Sequence, residues 1–285
     1  MLGYITGFGK SGLIPYAMVG INILCVVTMV LLTSVLFQTE SADPRHEWLP
    51  MLVLAIPGAW ATLCTSTADL LGTTLFTATL VGLRLRRNGL ASVALCLACL
   101  TRETYLAVAV IFIVLELRRH SGNALWLSFA TVPGLVWNAL VYVYVQDGTS
   151  GIRESFGVPF AGILAKWQAI LEGGLTIKNL YEAYAFGLLM VVALLLAASM
   201  IRTRRQPAPV PFLVFPYLVI LITTKMQIFG YFANYLRVFM DMFLLNILTT
   251  QRESADLVKK GVLLLYLPAS VAYVIHYIFI FLFIR

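Results

Sequence analysis

Long apolar stretches separated by short arginine-rich loops constrain this chain more than any other feature. A helix needs about 20 predominantly apolar residues to cross a bilayer. Such stretches lie at 11–37, 49–65, 68–84, 123–146, 180–201, 210–228, 231–250 and 261–284. Backbone polar groups in lipid must be satisfied within the segment, so spans of this kind fold as helices. The sequence therefore predicts an all-α, polytopic transmembrane helical bundle with about eight full spans.

The composition agrees with a membrane-embedded chain. Of the 285 residues, 60% are hydrophobic and 12% are charged, whereas soluble domains carry about 45–50% apolar and roughly 25% charged residues. No polar stretch is long enough to form a soluble domain, so we expect one integral membrane domain over 1–285. The net charge of +7 resides in short loops beside apolar spans. This placement is typical of topology signals and excludes nucleic acid as the expected partner.

The distribution of basic residues predicts the orientation. With 85–89 in the cytoplasm, alternating spans place twelve of the 20 Lys and Arg residues inside and seven outside, with Arg102 at a turn. Cytoplasmic loops are enriched in Lys and Arg. The protein is therefore expected in the cytoplasmic (inner) membrane as a multi-pass protein, with both termini extracytoplasmic.

This orientation requires the chain to enter and leave the membrane on the same side between 90 and 117. The stretch Thr101-Arg102-Glu103-Thr104 separates two apolar arms that are each too short to cross a bilayer. Arginine clusters flank both arms, and they share one side of the membrane only if the arms form a hairpin. We expect a re-entrant helical hairpin over 90–117, with Thr101 capping the second arm and Arg102 and Glu103 at its apex.

The longest outer segment, 147–179, is predicted to be amphipathic and extracytoplasmic. Within 158–172, apolar residues recur at helical spacing, while Lys166, Gln168 and Glu172 fall on other faces. An amphipathic helix lying on the outer membrane surface is expected there. Asp147, Glu154 and Lys166 are interpreted as solvated charges.

Ionisable residues at membrane depth are functional candidates. Arg102 and Glu103 would either neutralise each other at the interface or bind an anion such as a lipid phosphate, because a guanidinium suits bidentate phosphate contacts. Arg237 would either pair with Asp241 one turn later or hold an anion. Asp69 would either cap a helix or take part in catalysis.

Cysteine and histidine give little indication of metal chemistry. Cys96 and Cys99 form a CxxC inside an apolar segment without a nearby histidine, and are interpreted as small packed side chains. His46, His120 and His276 are far apart in sequence. No metal site is predicted from these residues.

The charged apex carries a family resemblance. Leu100-Thr101-Arg102-Glu103-Thr104, followed by an apolar arm and Leu117-Arg118-Arg119, resembles the central hairpin of bacterial GT-C-type membrane glycosyltransferases. More narrowly, it is similar to a family of uncharacterised membrane proteins assigned to cell-surface glycopolymer formation. The other matching stretches are Ile56-Pro57-Gly58 with Ser66-Thr67-Ala68-Asp69, Phe156-Gly157-Val158-Pro159-Phe160, and Tyr235-Leu236-Arg237-Val238. The resemblance covers roughly 10–250.

The resemblance implies a membrane glycosyltransferase that works at the outer face of the membrane. Such an enzyme transfers a sugar from a polyprenyl-phosphate donor, itself a membrane lipid, to a glycan acceptor. In the family basic residues hold the lipid phosphate. The resemblance thus assigns Arg102 and Arg237 to donor binding, together with Glu103 of the same apex motif. The resemblance leaves open whether a divalent metal ion serves as a cofactor.

One departure from the family leaves its catalytic residue unknown. The family's catalytic carboxylate lies in the first outer loop, whereas Met1–Lys10 carries no acidic residue, and the corresponding span and acidic loop are not found. Three interpretations remain open: a truncated chain, an inactive member, or a base supplied from elsewhere, such as Asp69. The alternatives outside the enzyme class are a transporter or flippase of a lipid-linked or anionic solute, and a non-catalytic subunit of a glycan assembly complex.

Overall fold

The computed structural model describes residues 13–38, 49–65, 67–119, 122–144, 155–202, 209–252 and 257–283. Within these ranges the chain is all-α and contains no β-strand; an isolated bridge joins Phe156 and Thr224. The predicted all-α class is confirmed. Both termini, Asp147 and Glu154 lie outside the described residues.

The helices follow one another with short connections. We number them in chain order. They are α1 (Ile14–Gln38), a 3-10 helix (Leu49–Ala55), α2 (Pro57–Thr65), α3 (Asp69–Arg84), α4 (Asn88–Thr101), α5 (Thr104–Arg118), α6 (Asn123–Tyr144), α7 (Ala161–Glu172), α8 (Ile177–Arg202), α9 (Pro209–Phe212), α10 (Val214–Thr223), α11 (Met226–Phe229), α12 (Phe232–Val238), α13 (Met240–Arg252), α14 (Leu257–Leu264) and α15 (Tyr266–Phe283).

In the described part of the chain, four helical segments are long and apolar enough to cross a membrane. They are Ile14–Gln38, Asn123–Tyr144, Ile177–Arg202 and Gly261–Ile278. The predicted count of about eight full spans is not supported by these helices. Four of the predicted stretches are divided: 49–65 at Ile56, 210–228 at Leu213 and again beyond Thr223, 231–250 at Phe239, and 261–284 at Leu265.

Local chemistry explains two of the helix starts. Pro57 opens α2, a position that suits proline because its missing N–H would be unpaired there in any case. Asp69 lies in the first turn of α3, where the helix dipole favours a negative charge, and its side chain makes no capping hydrogen bond.

The predicted hairpin is present as α4 and α5. A Cβ added at Gly72 would contact Thr101 and Tyr105, whereas Gly82 lies against Ala91. The ring of Phe76 packs on both Tyr105 and Phe112. Along α3, from its start to its end, the contacted residues of α4 run from its end to its start, whereas α5 begins beside the start of α3. The two arms are therefore antiparallel.

The chain reverses at Arg102, whose backbone is extended with φ −152° and ψ 136°. The predicted capping role of Thr101 is wrong. Thr101 is the last residue of α4, and its hydroxyl donates to the carbonyl of Ala98 at 2.7 Å. Glu103 takes the position before α5 and makes no side-chain capping bond.

Helix α13 forms the centre of the molecule. Its side chains from Met240 to Thr250 are all buried. By contrast, α1, α6 and α8 expose large apolar side chains such as Leu24, Phe129 and Leu194. A helix that is buried all round belongs to a core, and exposed apolar faces of this kind suit contact with lipid.

A helix is present in the predicted amphipathic segment as α7, somewhat shorter than 158–172. Leu164 and Leu171 are exposed on it, whereas Ile170 is buried. Lys166 was interpreted as a solvated charge, and this is wrong: its side chain is only 4% exposed because it pairs with Glu182.

Close packing at Gly58 gives a test of the fold. A Cβ at this position would collide with the carbonyl oxygen of Leu236 and lie 2.9 Å from Cβ of Met240. Gly58→Ala is therefore expected to destabilise the protein by about 1–3 kcal/mol, because the neighbouring backbone and side chains must move to make room for the added methyl group. The thermal unfolding midpoint of the detergent-purified protein measures this effect. Gly20→Ala is the matched control, since nothing lies within 4 Å of that position; equal midpoints for the two variants would contradict the packing.

Candidate functional site

Three separate parts of the chain meet at the carboxylate of Asp69. One oxygen, Oδ1, lies 3.4 Å from Nε of Arg102, which comes from the apex of the α4–α5 hairpin. The other, Oδ2, lies 3.0 Å from Nε of Arg237, which comes from α12. The side chains of Asp69, Arg102 and Arg237 are 16%, 12% and 25% exposed. We call these three residues the arginine–aspartate cluster.

Arg102 is held by the backbone as well as by Asp69. Its Nη2 donates to the carbonyl of Val238 at 3.1 Å. Its Nη1 is buried and has no hydrogen-bond partner among the described residues. An unpaired N–H on a buried guanidinium is costly, and it leaves Arg102 able to donate to a further acceptor.

Arg237 also retains donor capacity. Although its Nε is close to Asp69, the N–H is not directed at the carboxylate and makes no hydrogen bond to any described residue. The contact is therefore an ion pair without a directed hydrogen bond. Arg237 is the most exposed member of the cluster, so an external anion would reach it most readily.

Asp241 lies in a separate, fully buried setting. Its carboxylate accepts hydrogen bonds from the hydroxyls of Thr73 at 2.6 Å, Tyr105 at 2.9 Å and Tyr217 at 2.7 Å. These donors belong to α3, α5 and α10. Three hydroxyl donors compensate the lost hydration of this carboxylate, and they join four helices at one point.

Two of the pairings considered from sequence are wrong. Arg237 does not pair with Asp241, because the helix breaks at Phe239 and the two side chains have different partners. Arg102 pairs with Asp69, and Glu103 is exposed at the apex. The structure thus brings together Asp69, Arg102 and Arg237 and leaves Glu103 outside the cluster.

A second buried ion pair links α7 to α8. Nζ of Lys166 donates to Oε2 of Glu182 at 2.7 Å, and both side chains are almost fully buried. Sequence reasoning missed this pair, and it also missed the hydroxyls around Asp241. Neither set shows a local motif, because the partners come from different helices.

The two ion-pair clusters lie at or near helix ends. Asp69 begins α3, Arg102 lies between α4 and α5, and Glu182 lies in the second turn of α8. The opposite ends of α3, α5 and α8 carry Arg84, Arg118 and Arg202. The pairs of Asp69 and Glu182 therefore lie at one end of the bundle, whereas at the other end these three helices finish in arginines and Glu116 pairs with Arg119.

No metal centre is evident in the described ranges, which contain no group of three or more His, Cys, Asp or Glu side chains placed to hold an ion. The four cysteines are free, and Cys96 and Cys99 both lie in α4. The chemistry of the cluster is that of paired guanidinium groups, which bind phosphate or carboxylate groups.

Comparisons with protein-family models, with curated proteins and with solved structures find no match to this chain. The resemblance to GT-C-type glycosyltransferases therefore rests on the short motifs quoted above.

The hydroxyl donors of Asp241 give a test of the buried site. Tyr217→Phe removes one hydrogen bond to a buried charged group, which is expected to destabilise the protein by about 1.5–3 kcal/mol. Unfolding midpoints of the purified protein measure the change. Tyr142→Phe on the exposed face of α6 is the control and should have no effect. A Tyr217→Phe variant as stable as the control would show that this hydrogen bond does not matter.

Proposed function

We propose that this protein acts at the outer face of the cytoplasmic membrane as a glycosyltransferase of the GT-C type. In this proposal Arg102 and Arg237 bind the phosphate of a polyprenyl-phosphate-linked sugar, and the sugar is transferred to a cell-surface glycan. The observation that carries the proposal is the meeting of two guanidinium groups from distant parts of the chain, both with unused N–H donors, at one end of a membrane bundle.

The donors of the cluster suit a phosphate. A phosphate oxygen accepts several hydrogen bonds, and charge-assisted bonds to arginine are the stronger kind. Arg102 Nη1 and Arg237 Nε have no hydrogen-bond partner among the described residues. These guanidinium donors therefore favour a phosphate over a neutral ligand.

Asp69 is the candidate proton acceptor in this proposal. It is partly exposed, whereas Asp241 is fully buried and occupied by three hydroxyls. In the transfer step the acceptor hydroxyl loses its proton to Asp69 as its oxygen bonds to the sugar carbon. The bond from that carbon to the lipid phosphate breaks, and the phosphate leaves with the electron pair. Arg102 and Arg237 stabilise the charge that develops on it.

The proposed topology keeps eight crossings, with both termini extracytoplasmic. Divided helices such as α12 and α13 then complete single crossings together. The hairpin arms have 14 and 15 residues, or about 21–23 Å, which is short of the roughly 30 Å hydrocarbon core. The apex with Arg102 accordingly reaches toward the outer leaflet without emerging from it.

A transporter or flippase of an anionic or lipid-linked solute is the alternative. Two observations favour it: the buried Asp241 with its hydroxyl partners, and the helix breaks at Phe239 and beyond Thr223. Transporters commonly use broken helices and intramembrane carboxylates at their sites. Proteoliposomes distinguish the two, because a transporter moves the solute without forming a glycosidic bond. The third candidate, a non-catalytic subunit of a glycan assembly complex, would by itself neither move the solute nor form a glycosidic bond.

The donor-phosphate role predicts the effect of removing Arg102. Arg102→Ala should weaken binding of a polyprenyl phosphate by the purified protein about tenfold or more, the value expected for one lost charge-assisted contact. In cells it should reduce surface glycan at normal protein level. Arg118→Ala, an exposed arginine at the opposite end of α5, is the control and should leave both unchanged. Unchanged binding and glycan in Arg102→Ala would refute the role.

The position of Asp69 predicts competition with the ligand. Because its carboxylate lies beside both arginines, it opposes a second anion bound to their remaining N–H donors by like-charge repulsion. Asp69→Asn should therefore raise the affinity of the purified protein for inorganic pyrophosphate, measured by calorimetry, while abolishing sugar transfer. A fall in pyrophosphate affinity would show that Asp69 supports the anion site and does not compete with it.

A further inference from the structure

The buried ion pair between Lys166 and Glu182 does more than join α7 to α8. Taking two charges out of water is expensive, and the cost is recovered only when additional hydrogen bonds satisfy them. Glu182 obtains these bonds from α12. Its Oε2 accepts from the hydroxyl of Tyr235 at 3.1 Å, and its Oε1 accepts from the backbone N–H of Phe232 at 3.1 Å.

Aromatic contacts strengthen the same link. Nζ of Lys166 lies 5.5 Å from the centre of the Tyr235 ring. The ring of Phe186 in α8 packs edge-on against both Trp167 of α7 and Tyr235. Charge, hydrogen bonds and ring packing therefore fix Tyr235 from two helices at once.

Backbone hydrogen bonds join the segment before α7 to the stretch of chain that leads into α11. The N–H groups of Gly157 and Phe160 donate to the carbonyls of Thr223 and Ile222 at 2.8 and 2.6 Å. The N–H of Lys225 donates back to the carbonyl of Ser155 at 2.9 Å. The region from 155 to 172 thus contacts the chain at two places, in the stretch before α11 and in α12.

Helix α12 needs such support because of its length. It has seven residues, too few for a helix to be stable by itself. Arg237 follows Tyr235 by two residues, which places the two side chains on nearly opposite faces of the helix. Fixing Tyr235 on one face therefore determines where Arg237 projects on the other.

We propose that Lys166, Glu182 and Tyr235 are positioning residues for Arg237. They hold α12 so that the guanidinium of Arg237 lies beside Asp69 and faces the incoming anion. The effect of these residues on ligand binding rests on the proposed function, whereas their effect on the position of Arg237 does not.

The test uses Tyr235→Phe, which removes the hydroxyl and keeps the ring. Lys166→Gln is the second variant, with loss of the buried charge. Tyr266→Phe is the matched control: this buried tyrosine accepts a hydrogen bond from Asn246 at 2.8 Å, outside α12. Folding is followed in every variant by the unfolding midpoint and elution in detergent.

Two measurements are made on the full chain. The first is the rate at which a short bifunctional thiol reagent joins Asp69→Cys to Arg237→Cys, with Cys25, Cys64, Cys96 and Cys99 replaced by alanine. This rate reports the position of α12 without the ion pair. The second is the affinity for inorganic pyrophosphate in chains that keep Asp69 and Arg237.

Tyr235→Phe and Lys166→Gln are expected to slow cross-linking and weaken pyrophosphate binding, each about tenfold, as for one lost hydrogen bond to a charged group. Tyr266→Phe should change neither. Unchanged cross-linking in Tyr235→Phe, or equal slowing in the control, would overturn the positioning role. Slower cross-linking in a protein whose parent chain binds no pyrophosphate would support the positioning role and count against the proposed function.

Discussion

A charged side chain inside a membrane protein must find a partner within the protein, and at Asp69 one carboxylate serves two arginines. Because Arg102 and Arg237 come from the hairpin apex and from α12, satisfying them determines which turns of the chain meet. Asp241 and Glu182 act in the same manner on other segments. Apolar packing alone would allow helices to slide against one another, whereas these polar contacts select one arrangement. We regard them as the source of the specificity of this end of the bundle.

The two ends of the bundle differ in their number of arginines, although a carboxylate pairs with arginine at both, Asp69 at one end and Glu116 at the other. One end joins carboxylates to arginine, lysine and tyrosine side chains over short distances, as in the pairs of Asp69 and Glu182. The helices that leave this end finish in arginines, such as Arg84 and Arg202. The proposed orientation rests on this asymmetry, since cytoplasmic loops are the ones enriched in basic residues.

Local patterns predicted the features that local forces decide. The length of the apolar arms and the charges beside them were sufficient to place the hairpin and its break at Arg102. Contacts between distant segments could not be predicted in this way. The spacing of Arg237 and Asp241 suggested a pair, but the break at Phe239 separates them. The position of Lys166 in its helix suggested a solvated charge, and only the fold reveals that it is buried in an ion pair with Glu182. Apolar length likewise overestimated the uninterrupted spans.

The contact of Gly58 with the backbone of Leu236 has a consequence for ligand exchange. Gly58 is the second residue of α2, and Leu236 immediately precedes Arg237, so a contact without an intervening side chain sets how closely α2 approaches α12. This contact holds the segment beside Arg237 in addition to the ion pair with Asp69. In the proposed function, an anion that binds the arginines meets a segment that is already held, and little ordering free energy is lost on binding.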